Sequence, residues 1–526
     1  MRFATATPPV QVLSVALTAV LTTFGVSLFA TAWASPPPTS TLRGVAATGG
    51  PLRGAHIAAR DSRGTTVTAQ ADAQGRYTLD ASTLVPPLAL AATEAGADPR
   101  HCAQSQVPRP VCMVALLEEL HVGSNTANIN PLTDWMASDV ALQLGLLGPQ
   151  QLAMALPPTI SPALPAAALA QLRAGFGDAL GQAGVAEPGA FHPVTTPMQA
   201  DGTGVDAVLG LINHNRGYDN NSGKSSATVI TDVLWNPIAK PFGPQANEAL
   251  QWERSRSVLA AITTAPRRIF IVGDSTAATY ERQRMPRMGW GQVFEAEFKA
   301  DSGVKVINGA RAGRSSRDFY NGGWYRQMTR FMRPGDYVLI AHGHNDQNCN
   351  AHKPLRGPAD VANLCTYPND VQGQPQFPTW QAHMAFQNAL AVYVQDVRAK
   401  GAIPVLLTPT VRFLNADRKA AYVGEDKRPV VSTHFTRQDA SGGFAYVGNY
   451  VQTIRDTAVA YQVPLVELEA KTIAFANTHP TDWTDYWLEA AATTHFQERG
   501  ARAMAALVAQ GLRETPALQA LTQWLK

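Results

Sequence analysis

Ser275 stands in RRIFIVGDST, directly after an apolar run that closes on Gly273-Asp274. A serine at a strand-to-helix turn has an exposed hydroxyl, with backbone N–H groups aimed at any anion that develops beside it. Alone, it could equally be a helix N-cap. NGARAGRSSRDF then places Gly313 where its N–H can come close to a substrate oxygen, and Gly343-His344-Asn345-Asp346 offers the side-chain amide of Asn345. Together the three stretches supply a nucleophile and an oxyanion hole. A fourth, EAAATTHFQERGA, sets His495 at the mouth of an amphipathic helix, where a general base would stand. Three residues earlier, where a carboxylate would orient the imidazole, the sequence has Ala492.

The surroundings of His495 narrow the choice of acid. Thr494-His-Phe-Gln497 has the pattern of a capping box, which puts Glu498 in the first helical turn as a favourable charge at a helix N-terminus. Asp485 and Glu489, upstream, are the candidate substitutes, and each also reads as a plain surface carboxylate. His344 reads as a structural loop residue that substrate could meet, and Asp274 as a brace of its own turn.

These residues need a scaffold that brings distant loops to one edge. From about Arg267, the runs RRIFIVGD, VKVINGA, DYVLIAHG, AIPVLLTP and VPLVELE alternate with helical segments such as WQAHMAFQNALAVYVQDVRAKG. Short, β-branched, continuously apolar runs are those of parallel strands covered on both faces. The expectation for residues 266–526 is a doubly wound α/β domain with a five-stranded parallel sheet, its site at the C-terminal strand ends.

GDST, GWGQVFEAEF, NGARAGRSSRDF, GWYRQMTRFMRPGDYVLIAHGHND, VRAKGAIPVLLTP and THFQERGARAMA, in that order over about 260 residues, resemble the rhamnogalacturonan acetylesterase branch of the SGNH (GDSL-like) hydrolases. The resemblance implies a flavodoxin-like fold, Ser275 as nucleophile, and its own N–H beside Gly313 and Asn345 in the oxyanion hole. It also implies His495 as general base, and removal of acetyl esters from pectic polysaccharide without metal or cofactor. The departure is Ala492, because the family writes Asp-x-x-His there. Losing the acid of such a triad lowers kcat by about 10⁴, or about 5.5 kcal/mol of barrier. Rival readings are a carbohydrate-binding or surface-adhesion protein with a weakened SGNH domain, and an esterase or lipase of other acyl groups.

Residues 1–34 read as a secretory signal cut after Ala34, with an uncleaved anchor as the alternative since the apolar run is long enough to span a bilayer. A proline-rich tether (35–41) follows, then a small β-sandwich (42–100) that resembles the carboxypeptidase-regulatory-like, or transthyretin-like, fold through GVAATGGPLRGAHI and ADAQGRYTL. Residues 101–265 read as a mostly helical spacer. Cys102 with Cys112, and Cys349 with Cys365, would each close a short loop, and export favours disulfides over metal ligation because no CxxC spacing is present. A net charge of +3 without any basic run excludes nucleic acid as the main partner. The expected partner is an acetylated polysaccharide or oligosaccharide, met in the periplasm or outside the cell, with no membrane attachment once the signal is removed.

Overall fold

In RYTLD, Tyr77 and Leu79 are buried while their neighbours are exposed, the period-two pattern of a strand with one covered face. That strand is the fourth of seven near the N-terminus: β1 (Ser40–Val45), β2 (His56–Asp61), β3 (Thr66–Gln70), β4 (Arg76–Asp80), β5 (Leu88–Thr93), β6 (Cys112–Leu117) and β7 (Gly123–Thr126). They form two sheets, β4-β1-β7 and β3-β2-β5-β6, which share a core of Leu42, Ile57, Tyr77, Leu79, Leu90 and Met113. The sandwich starts inside the expected tether, at Ser40, and runs past residue 100 because β6 pairs with the outer edge of β5. A disulfide joins Cys102 to Cys112. The computed structural model describes residues 39–103, 109–216, 227–235, 237–239, 249–280, 284–347, 366–370, 372–375, 385–412, 434–438, 445–479, 481–488 and 494–526. The signal segment, Cys349, Cys365, Glu489 and Ala492 lie outside the described residues.

The next stretch holds α1 (Pro131–Gln143), α2 (Pro149–Met154), α3 (Ala163–Gln182) and α4 (Gly204–Gly210), then β8 (Ile212–Arg216), β9 (Thr228–Asp232), β10 (Pro237–Ala239) and α5 (Trp252–Thr264). The three strands form an antiparallel sheet of their own, so the spacer is helical with one sheet. Asn130 and Thr133 cap α1 reciprocally, which fixes where the helix starts. One turn in, the buried Asp134 accepts from Val114 N–H at 2.8 Å, Thr228 Oγ1 at 2.6 Å and Arg216 Nη2 at 3.0 Å, and pairs with His214 Nε2 at 2.7 Å. This carboxylate ties β6, α1, β8 and β9 together. The sandwich and the spacer are therefore not separate beads.

The C-terminal part alternates as expected. Its strands and helices are β11 (Arg267–Gly273), α6 (Trp290–Val293), β12 (Val304–Asn308), α7 (Ser316–Asn321), α8 (Trp324–Thr329), β13 (Tyr337–Ala341), α9 (Phe386–Ala399), β14 (Ile403–Leu407), an antiparallel hairpin of β15 (Phe435–Gln438) and β16 (Ala445–Asn449), α10 (Tyr450–Ala460), β17 (Leu465–Val466), α11 (Leu468–Thr478) and α12 (Glu498–Arg513). The main sheet is all parallel, five-stranded, in the order β12-β11-β13-β14-β17. Ile269 and Ile271 of β11 pack on one side with Met504, Val508 and Leu512 of α12, and Phe270 and Val272 on the other with Tyr393 and Val394 of α9. Both faces are covered, which is why the strand reads as an unbroken apolar run.

Residues 39–526 form one compact unit. Polar contacts join its halves: Arg333 donates to Thr263 O, and a group of others on the C-terminal side falls between Arg311 and Arg330. Arg109 N–H donates to Asn321 O at 3.0 Å, Gln327 Nε2 to His214 O at 2.9 Å, Arg330 Nη2 to Asn213 Oδ1 at 3.1 Å and Arg311 Nη1 to Trp235 O at 2.6 Å. Arg326 pairs with Glu94 at 3.2 Å.

Candidate active site

Ser275 follows β11, an inner strand of the parallel sheet, and is 7% exposed. Its turn is shaped by Asp274, a buried carboxylate whose Oδ1 accepts from Thr276 N–H (3.0 Å) and Thr276 Oγ1 (2.9 Å). The other oxygen, Oδ2, accepts the backbone N–H of His344 at 3.3 Å. Asp274 thus braces its own turn and also ties the loop after β11 to the loop after β13. Burial raises its pKa above the ordinary carboxylate value, against the hydrogen bonds from Thr276 and His344. Tyr280 Oη donates to the Ser275 carbonyl at 2.8 Å and fixes the far side of the turn.

Gly313 lies in the loop between β12 and α7, with φ of +75° and open space where a Cβ would be. That region of φ is available to glycine at little strain, so the loop can present a backbone N–H here. The flanks of Gly313 are held by the loop after β13. Asn345 Nδ2 donates to the carbonyl of Arg314 at 3.3 Å, and Asp346 Oδ1 accepts from Ser316 N–H (2.7 Å) and Ser316 Oγ (2.6 Å). Arg314 and Asp318 form a buried ion pair at 2.9 Å, and Ser315 caps α7 through Asp318 N–H. The loops carrying Ser275, Gly313 and Asn345 are therefore bonded to one another.

His495 does not sit in a capping box. Residues 494–496 are non-helical, α12 begins at Glu498 with Gln497 as N-cap, and the Gln497 side chain donates to Thr484 O instead of closing a cap. The reason is strand-like pairing: Phe496 bridges Met288 and Trp487, and Leu488 N–H donates to His495 O at 2.9 Å. Met288 N–H in turn donates to Phe496 O, Gly289 N–H to Ala278 O and Trp290 N–H to Thr276 O. This ribbon carries His495 back to the turn that holds Ser275. Glu498 pairs with Arg502, as a first-turn charge should. Asp485 is half exposed at a helical turn and its carboxylate pairs with Arg499 at 2.5 Å.

Sequence reasoning missed a second polar group under the site. His434 Nδ1 and Glu469 Oε1 are 2.8 Å apart, and neither side chain is more than 1% exposed. The His434 ring meets that of His344 edge-on, centroids 4.6 Å apart. Burial pushes His344 well below the usual histidine value, and His434, Arg412 and His495 push it the same way. Burial also lowers His434, opposed by Glu469. Glu469 is the second residue of α11, shortly after β17, and position near a strand's C-terminal end was the one signal that could have found it. Among the described residues, no group of three or more His, Cys, Asp or Glu is arranged to hold a metal ion.

Residues 271–503 match the GDSL-like Lipase/Acylhydrolase family. The chain is 27% identical over 263 residues to the rhamnogalacturonan acetylesterase RhgT of Bacillus subtilis, a span covering 47% of this chain and 90% of that protein. This protein is a carboxylic ester hydrolase. The hydrolase is also 28% identical over 250 residues to the probable rhamnogalacturonan acetylesterase YesY of Bacillus subtilis, covering 47% of its own chain and 92% of YesY. Among solved structures, protein YxiM from Bacillus subtilis is similar to it at 19% identity and a TM-score of 0.35, covering 55% of this chain and 70% of YxiM.

Proposed function

We propose that this hydrolase is an exported acetylesterase of polysaccharides, with pectic rhamnogalacturonan as its substrate. Ser275 Oγ attacks the acetyl carbonyl while His495 accepts its proton. The N–H groups of Ser275 and Gly313 and the amide of Asn345 stabilise the oxyanion, and His495 returns the proton to the departing sugar oxygen. Water, deprotonated by the same histidine, then attacks the acetyl-serine and releases acetate. The observation that carries this reading is the mutual bonding of the three loops through Asp274, Asn345 and Asp346.

The substrate class rests on the two named relatives, RhgT described as a rhamnogalacturonan acetylesterase and YesY as a probable one. Export rests on the N-terminal segment 1–34 and agrees with a disulfide at Cys102–Cys112. The N-terminal sandwich is assigned as a carboxypeptidase-regulatory-like module on its sequence resemblance. Acetate release from a panel of acetylated polysaccharides by the mature protein, beside Ser275→Ala, tests the activity and the sugar together. Equal release from both proteins refutes the mechanism, and release from xylan but not from pectin refutes the substrate.

A further inference from the structure

We propose that Glu469, acting through His434, is the positioning acid of this site, the buried negative charge that serves a chain with Ala492 where an orienting carboxylate would stand. The inference rests on the ester-hydrolase reading of Ser275 and His495.

The pair is built into the interior. A carboxylate 2.8 Å from Nδ1 accepts that N–H, fixes the imidazole's tautomer and orientation, and leaves Nε2 on the opposite side of the ring. Thr408 Oγ1 accepts the backbone N–H of Glu469 at 2.9 Å, which pins the residue to the end of β14. Nothing about this arrangement serves solvent, since both side chains are buried. A buried carboxylate–imidazole unit would be replaceable by apolar packing if only stability were at stake.

The pair is also aimed at the catalytic turn. His434 packs edge-on against His344, whose backbone N–H holds Asp274 Oδ2, the carboxylate that shapes the turn of Ser275. Neither ring nitrogen of His344 has a hydrogen-bond partner among the described residues, and the ring lies between His434 and the turn, its Nδ1 3.8 Å from Asp274 Oδ2. Arg412 fixes the backbone of the same residue, its Nη1 donating to His344 O at 2.7 Å. The groups around His344 are thus Asp274, Arg412, His434 and His495.

Two other carboxylates are already engaged. Asp274 has both oxygens committed to backbone and Thr276, and Asp485 is paired with Arg499 at the surface. Of the further buried acids at the edge from which Ser275, Gly313 and Asn345 come, Asp346 is held by Ser316, Asp318 by Arg314, and Glu469 by the imidazole of His434. When Ser275 is deprotonated, an imidazolium forms, and a fixed negative charge in a poorly screened interior favours it without needing direct contact.

The test is a double-mutant cycle of Glu469→Gln and Ala492→Asp, read as kcat and KM on one acetyl ester. Glu469→Gln should lower kcat by roughly tenfold to a hundredfold with KM nearly unchanged. Glu469→Asp should recover part of the loss. With Ala492→Asp present, the same glutamine should lower kcat less than about threefold, because the local acid makes the remote one redundant. Equal losses in both backgrounds would show a merely structural role and overturn the proposal, as would full kcat in a folded Glu469→Gln protein. If Glu469→Gln does not fold, Ala492→Asp alone decides: a gain below about tenfold supports the proposal, and a larger one overturns it. Ser275→Ala is run alongside, and acetate release surviving in that variant would refute the underlying reading instead.

Discussion

The side-chain amide of Asn345 donates to the backbone carbonyl of Arg314 across 3.3 Å, so one proposed oxyanion donor is braced by the immediate neighbour of the other, Gly313. An amide has two N–H groups. One is fixed on Arg314, which sets the direction of the second.

Asn345→Ala should therefore lower kcat by about 10² to 10³ with little change in KM, since an oxyanion donor acts mainly in the transition state. Steady-state kinetics on an acetyl ester checks this. Full kcat in a normally folded variant would remove Asn345 from the oxyanion hole.

Asp485→Ala should leave kcat within about twofold of the parent, because this carboxylate is engaged by Arg499 and a surface pair contributes little. A loss of the size expected for a triad acid, about 10⁴, would restore Asp485 as the substitute and displace Glu469.

Asp134→Ala should destabilise the fold by about 3–5 kcal/mol, since it leaves Arg216 buried without its counter-charge. Burial works to raise the pKa of Asp134, but Arg216 and His214 overcome that and hold it far below the ordinary value. The unfolded chain then binds the proton more tightly. Stability from this group is complete at neutral pH, starts to fall below about pH 4, and is lost as pH drops through the lowered folded value. Urea denaturation at neutral and acid pH should show the parent approaching the variant as pH falls.

Replacing Cys102 and Cys112 together by serine should cost about 3 kcal/mol in the loop-entropy description, with ten residues of separation between them. Peptide mapping without reduction is the direct check, and it reports on Cys349 and Cys365 as well. Free thiols at all four positions in exported protein would contradict the pairing and the compartment.

Expression of residues 266–526 alone should give an unstable, inactive protein. Asn321, Gln327, Arg330, Arg311 and Arg326 would all lose partners from the N-terminal half. Thermal unfolding of the fragment beside the full chain measures the loss, and a fragment with full kcat would refute it.

What was legible in the sequence was whatever is encoded locally. Apolar runs with β-branched residues announced the five parallel strands, and Ser275, Gly313 and Asn345 each follow one of the first three strands within a few residues. Features that join distant segments left no such trace. His434 and Glu469 lie on different elements, and neither stretch has a pattern that points to the other. The capping box at Thr494 failed for the same reason: the local pattern is correct, but pairing with Met288 and Trp487 holds 494–496 extended. Domain boundaries slipped likewise, because the strand that completes the sandwich, β6, follows the disulfide loop.

The contacts that the N-terminal half makes with Arg311–Arg330 also bear on the order in which the chain is made. A ribosome releases β1 through α5 before β11 exists, so the surface that receives α7 and α8 is in place before those helices emerge. Trp235 O then acts as a waiting partner for the loop of Gly313, and His214 O, Asn213 and Glu94 for α8 and its C-cap. A chain synthesised in the reverse order, as in a circular permutant opening at residue 266, would have to shape the loop of Gly313 before its partner arrived.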